Sequence, residues 1–127
     1  MVTTVLKNSI KNWLADKLEI GDIPTSVIAI NFGIQKVYDG YELYLKGCDE
    51  YYEEHDTWLQ NEIYEPKDNF INLGTKSLEL TETDIYSLYK SEVLNLLKSK
   101  NDNYIKHLKY ITMTYFNGQP ERLRSDK

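Results

Sequence analysis

Residues 26–48 read SVIAINFGIQKVYDGYELYLKGC, and this stretch decides the fold. Ile28, Ile30, Phe32 and Ile34 alternate with Ala29, Asn31, Gly33 and Gln35, the period-two pattern of a strand with two unlike faces. Tyr41, Leu43 and Leu45 alternate in the same way with Glu42, Tyr44 and Lys46. Between the two runs, Asp39-Gly40 is a two-residue turn signal, because both central positions of a type I′ turn need positive φ. The stretch predicts a β-hairpin whose apolar face the rest of the chain has to cover.

Upstream, Leu6, Ile10, Trp13, Leu14 and Leu18 recur at spacings of three and four, with Lys7, Asn8, Lys11, Asn12 and Asp16 between them. That spacing predicts an amphipathic helix, with Thr3 or Thr4 placed to cap it and Gly21 to end it. Asp22-Ile23-Pro24 breaks the chain before the hairpin, since proline has no N–H and biases its predecessor toward extended geometry.

Downstream, residues 57–63 predict a third strand before Pro66, and Phe70 to Leu73 a further short one. Thr81-Glu82-Thr83-Asp84 has the form of a capping box, and Ile85, Leu88, Tyr89, Val93, Leu96 and Leu97 form the apolar stripe of a second helix. Lys98 and Lys100 suit the negative end of its dipole, and Asn101-Asp102-Asn103 stops it. Tyr110 to Phe116 is rich in β-branched and aromatic residues and runs into Asn117-Gly118, a second hairpin signal with a strand on either side.

This order predicts an α+β fold: one mainly antiparallel sheet of about five to six strands, with an N-terminal helix and a second helix near residues 82–99 packed on it. Residues 1–127 read as a single domain, with 41% hydrophobic and 28% charged residues and no repeat or linker. The longest apolar run, Val27 to Ile30, is far short of the roughly 18 residues of a membrane span. The N-terminal segment lacks the continuous apolar stretch of a secretory signal, and Cys48 is the only cysteine, so the expected location is cytoplasmic.

Net charge is −5, but residues 38–65 hold nine carboxylates against Lys46 alone, a local charge of −8 that leaves +3 on the remainder. Such a segment repels phosphate backbones and attracts basic surfaces, which disfavours nucleic acid and favours a protein partner of basic character. Residues 98–127 carry seven basic groups against three acidic ones, and they offer an electrostatic complement to that segment, within the fold or between copies.

Catalytic and metal-binding patterns fail one after another. A calcium loop starting at Asp49 would need an oxygen ligand, a glycine and a glutamate where the chain has Tyr51, Glu54 and Gln60. Two histidines and one cysteine are too few for a conventional zinc site. Cys48 follows a strand and a glycine, with no helix N-terminus to lower its pKa for use with His55 or His107, so it reads as a structural thiol. No glycine-rich loop or Walker-type lysine is present to hold a nucleotide. The reading is of a chain with no cofactor, no metal and no catalytic residue; a small enzyme would have to draw on Glu53, His55 and Asp56 in the 49–58 loop.

Tyrosine is the remaining signal, with eleven Tyr against three Phe, six of them within residues 38–65. Strand periodicity does not explain Tyr51-Tyr52 in a charged loop, whereas rigid aromatic area beside carboxylates suits recognition of a cationic protein. The expected protein-binding residues are Glu50, Tyr51, Tyr52, Glu53, Glu54, Asp56 and Trp58.

The succession Ala29-Ile30-Asn31-Phe32, Tyr41 to Gly47, an acidic stretch, Thr57-Trp58 and a final Tyr115-Phe116-Asn117-Gly118 hairpin resembles small bacterial proteins similar to the immunity proteins of toxin systems. The resemblance implies an inhibitor of a basic toxin and identifies no functional residue. The chain is therefore expected to be a noncatalytic protein-binding domain; the alternatives are a small enzyme at the acidic loop and a structural domain that self-associates through strand edges.

Overall fold

The computed structural model describes residues 2–18, 26–51, 62–64, 70–98, 108, 110–115 and 121–124, with the backbone alone for residues 2, 62–64, 115 and 124. Helix α1 spans Val2–Lys17, strand β1 Ala29–Val37, β2 Gly40–Cys48, β3 Glu62–Tyr64 and β4 Phe70–Asn72. A 3₁₀ turn at Thr75–Glu79 leads into α2, Glu82–Lys98, followed by β5, Tyr110–Tyr115, and β6, Glu121–Arg124.

Both helices bury the predicted stripes. Leu6, Ile10, Trp13, Leu14 and Leu18 of the first segment are all buried, and the Leu18 N–H still donates to the Leu14 carbonyl at 3.0 Å. Thr3 and Thr4 lie inside α1, which begins at Val2, and therefore do not cap it. The capping box of α2 closes in both directions: Asp84 N–H donates to Thr81 Oγ1 at 3.1 Å, and Thr81 N–H to Asp84 Oδ2 at 3.3 Å. Ile85, Tyr89 and Val93 face the core, with Leu88, Leu96 and Leu97 partly buried beside them. Glu92, outside the predicted stripe, is also buried.

The sheet is mixed and mostly antiparallel. Its order is β3-β2-β1-β5-β6, and β4 also pairs with β2, so β3 and β4 share one edge and six strand segments fill five positions. β2 pairs with β4 through Glu42 to Tyr44 and with β3 through Gly47 and Cys48. The feature the sequence does not announce is the parallel pairing of β1 with β5, Ala29 to Ile34 against Tyr110 to Tyr115. A parallel neighbour needs a crossover, and α2 lies in the intervening chain.

The hairpin forms with its turn one residue earlier than expected. Val37 pairs with Gly40, which makes Tyr38 and Asp39 the turn residues and Gly40 the first residue of β2. Gly40 has φ 149°, and a Cβ there would lie 2.3 Å from the Gly74 carbonyl oxygen. Ser77 Oγ donates to that same oxygen at 2.6 Å and accepts from Tyr41 N–H at 3.0 Å, while Leu73 N–H donates to the Tyr41 carbonyl at 2.9 Å. The packing of the 3₁₀ turn against the hairpin thus selects the glycine's position. The third strand is described only at 62–64, residues 57–61 of the prediction lying outside the described residues, as does the Asn117-Gly118 turn.

One face of the sheet meets the helices. Ile30, Phe32 and Ile34 of β1, Tyr41, Leu43 and Leu45 of β2, and Ile111 and Met113 of β5 join the helical side chains in one core. Tyr89 is central to it, edge-on to Phe32 at 5.9 Å between centroids and tilted against Trp13 at 6.3 Å. Ile28, predicted to share this face, is 40% exposed and precedes β1. At the far edge, Glu121 of β6 accepts from the Tyr86 hydroxyl and from Lys90 Nζ at 2.8 Å, tying the last strand to α2. Those two donors hold the Glu121 carboxyl below its ordinary range, and burial, the Tyr86–Glu121 hydrogen bond and the Glu121 charge raise Tyr86.

The opposite face is polar at its centre. Asn31 Oδ1 accepts from the Thr112 hydroxyl at 2.8 Å and the Thr114 hydroxyl at 3.0 Å, and all three residues are buried. Truncating the acceptor strands two buried hydroxyls, whereas replacing all three groups with apolar ones of similar shape strands none. Asn31→Ala is expected to lower the unfolding free energy by about 2 kcal/mol, and adding Thr112→Val and Thr114→Val should recover most of that loss, as read by urea denaturation. Gly40→Ala, forced against the Gly74 carbonyl, should cost about 2–3 kcal/mol in the same assay.

Candidate functional site

Register determines which side chains share the face turned away from the helices. Tyr44 lies opposite Gly33 and Phe70, Lys46 opposite Asn31, and Cys48 opposite Ala29. On the other side of β1, Tyr110, Thr112 and Thr114 stand against Ala29, Asn31 and Gly33, and Arg122 of β6 stands against Thr112. Among the described residues no helix packs on this face, which carries aromatic, polar and cationic groups where the other carries mainly aliphatic ones with Phe32 and Tyr41.

Two aromatic groups are built on it. The Tyr44 ring lies on the Gly33 backbone so closely that a Cβ at Gly33 would fall 2.0 Å from Tyr44 Cζ. Phe70 packs beside this ring at 6.0 Å, and Lys46 Nζ stands 5.5 Å from its centroid. Burial raises the pKa of the Tyr44 hydroxyl. The Tyr44 carbonyl accepts from the Tyr89 hydroxyl at 2.9 Å, so the core of α2 is hydrogen-bonded to the strand that presents this ring. Tyr89 is wholly buried, which raises its pKa well above the ordinary value and keeps it a neutral donor.

The second group answers the question posed by Tyr51-Tyr52. Tyr51 stacks on Tyr110 at 4.2 Å and 12°, and the pair packs over Ala29 and Cys48, both fully buried. The Arg122 guanidinium carbon is 5.7 Å from one ring centroid and 5.9 Å from the other. Near-equal distances to two stacked rings place it at the rim of the stack, not over a face, where its contact is with ring edges and the Tyr51 hydroxyl. Burial raises the Tyr51 pKa, and the Arg122 charge opposes that rise. A cation from the basic C-terminal segment therefore meets the first aromatic residue of the acidic loop within one fold.

Of the predicted protein-binding residues, Glu50 is half-buried and Tyr51 stands in this stack; Tyr52, Glu53, Glu54, Asp56 and Trp58 lie outside the described residues, as do His55 and His107. Tyr38, which sequence reasoning grouped with the others without singling it out, is 103% exposed at the hairpin tip. Next to it Asp39 Oδ1 accepts from Asn72 Nδ2 at 3.1 Å; farther along β2, Glu42 accepts from Gln35 Nε2 at 2.6 Å, and Phe70, opposite Tyr44, is 48% exposed. The signal for Tyr38 is its place in the turn, which the local Asp39-Gly40 rule shifts by one residue.

On the helical side, a cavity of about 430 Å³ is lined by Thr3, Leu80, Asp84, Ser87, Leu88 and Ser91. Asp84, the ionisable member of that lining, caps α2, and no nucleophile-base pair faces it. Among the described residues no three His, Cys, Asp or Glu side chains gather as a metal site, and no helix is long and apolar enough to cross a membrane. The chain matches no family model, no curated protein and no solved structure.

Cys48 reports on the stack above it. Tyr51→Ala should uncover the thiol and raise its rate of modification by a soluble disulfide reagent roughly tenfold, with the native chain as reference.

Proposed function

We propose that this chain is a noncatalytic protein-binding domain that recognises a basic partner through its acidic, tyrosine-rich segment, residues 38–65. An immunity-type inhibitor of a basic toxin is the form of that function which fits the charge. The observation that carries the reading is at the hairpin tip: Tyr38 stands wholly outside the fold next to Asp39, with exposed Phe70 and the Glu42 carboxylate on the adjoining edge. A large aromatic group without intramolecular cover, with a carboxylate next to it and another along the same strand, has the composition of an interface anchor with an electrostatic rim.

The nine carboxylates of the segment act at long range, steering encounter with a basic surface, while aromatic residues supply the desolvated contact. Glu50, Tyr51, Tyr52, Glu53, Glu54, Asp56 and Trp58 belong to this surface in the proposal. Tyr51, stacked on Tyr110, would act by holding the root of the loop, and Tyr38 would join the anchors.

Neutralising Glu50, Glu53, Glu54 and Asp56 to the corresponding amides should slow association with a partner captured from the native organism about tenfold or more at low salt and flatten its salt dependence. Tyr38→Ala should instead speed dissociation, by about tenfold for an anchor of ordinary strength. Stopped-flow or surface-binding kinetics at several ionic strengths would separate the two. Unchanged association and salt dependence in the fourfold variant would refute the reading.

A further inference from the structure

β4 lies at the edge of the sheet beside the hairpin, and among the described residues its sole strand partner is β2. Leu73 N–H donates to the Tyr41 carbonyl at 2.9 Å, and Asn72 stands opposite Glu42. In an antiparallel ladder the backbone groups of successive residues point to opposite sides. Ile71, like Leu73, therefore turns its N–H and carbonyl toward β2, whereas Phe70 and Asn72 turn theirs outward, where nothing among the described residues meets them. Both residues are exposed, Phe70 at 48%.

An open row of this kind is usually blunted by charge, proline or a bulge. β6, at the opposite edge, has such devices: it reads Glu-Arg-Leu-Arg, and its register on β5 shifts between Ile111 and Thr112. β4 reads Phe-Ile-Asn and pairs with β2 without a shift. It is also held in place, with Asn72 Oδ1 accepting from Gly74 N–H at 2.7 Å and Asn72 Nδ2 donating to Asp39 at 3.1 Å. Because this edge is already ordered, an added strand has mainly its own ordering to offset.

Charge selects which chain can add. Asp39 is bonded to the Asn72 side chain, and Glu42 stands opposite Asn72 on β2. The donors to these two carboxylates are the neutral amides of Asn72 and Gln35. Among the described residues no cation pairs with either, Lys36 and Lys76 included. A second copy of this chain would bring the same carboxylates against its own, whereas a basic segment would neutralise them.

We propose that β4 accepts an extended segment of a basic protein as an added antiparallel strand. The residue opposite Asn72 is a lysine or arginine, placed for Asp39 and Glu42. The residue two positions later, opposite Phe70, is apolar and packs on that ring. Both exchange N–H and carbonyl hydrogen bonds with β4, so the main chain supplies affinity and the alternate side chains supply selectivity. This inference rests on the reading of the hairpin tip as a surface for a basic partner, and it specifies how that partner engages.

The test is an NMR titration of the full-length, ¹⁵N-labelled chain with a short blocked peptide whose central triplet is Lys-Val-Phe. The expected result is a saturable shift of the Phe70 and Asn72 backbone amides, with slower hydrogen exchange at both. N-methylation of the peptide at Lys and Phe, whose amides face β4, should abolish binding, while N-methylation at Val, whose amide faces away, should leave it unchanged. Glutamate in place of the peptide lysine should weaken binding about tenfold or more at low salt, and Asp39→Asn with Glu42→Gln should remove that preference. Phe70→Pro deletes an outward N–H and no bond to β2, so it should lose the response at a preserved circular dichroism spectrum; if that variant does not fold, the methylated peptides carry the test. The proposal is overturned by Phe70 and Asn72 amides that do not shift at several millimolar peptide, by binding that survives N-methylation at Lys and Phe, or by a concentration-dependent dimer of the chain alone that protects the same two amides. Any of these leaves the acidic-segment reading standing, because that reading is decided by the association kinetics of the fourfold amide variant.

Discussion

β1 is paired on both sides, antiparallel to β2 and parallel to β5, and the second of these pairings joins residues more than 80 positions apart in the chain. Closing so long a loop is entropically unfavourable, so the contact has to return free energy over its whole length. It does so in two layers. On the helical side Ile30, Phe32, Ile111 and Met113 make one apolar strip; on the other, Asn31 sits between Thr112 and Thr114. A slip of β5 by one residue would turn the threonines into the core and the aliphatic residues out of it. The polar cluster and the apolar strip therefore specify the same register.

The helices follow from that strip. α1 and α2 bury their stripes against it, and Tyr89 joins the layers, its ring against Phe32 and Trp13 and its hydroxyl on the Tyr44 carbonyl. The two faces of the sheet are thus coupled through one strand, β2. A ring resting on the Gly33 backbone is presented by the strand to which the centre of the core is hydrogen-bonded. The acidic segment continues in the chain beyond this strand, and Tyr51, three residues after it, is clasped by Tyr110 and Arg122. Charge separation that the sequence shows only as a count becomes, at Tyr51 and Arg122, a contact within the fold.

Legibility in the sequence tracks how local the governing physics is. The stripes of both helices, the reciprocal Thr81–Asp84 cap and the alternation of the hairpin depend on residues within a few positions of one another, and all three were readable. The hairpin turn lies one residue before the Asp39-Gly40 pair that satisfies the local rule, because the position of Gly40 is set by Gly74 and Ser77 more than 30 residues away. Asn31 read as one of several residues on a strand's polar face, since its partners lie in β5. Nothing near Tyr51 in sequence announces its contact with Arg122.

The amino-acid sequence by itself determined the α+β class, the helix and strand segments, which side of each is apolar, and the concentration of carboxylates and tyrosines in residues 38–65. Periodicity, capping and charge are properties of neighbouring residues, and they survive without knowledge of the fold. Tertiary structure alone decided that β5 lies parallel beside β1, that the helices share one sheet face and leave the other to Asn31, Lys46 and Arg122, and which tyrosines are packed and which stand free. Each of those outcomes is a competition among distant segments for the same surface, settled by burial summed over the whole chain, and no short window of sequence contains both competitors.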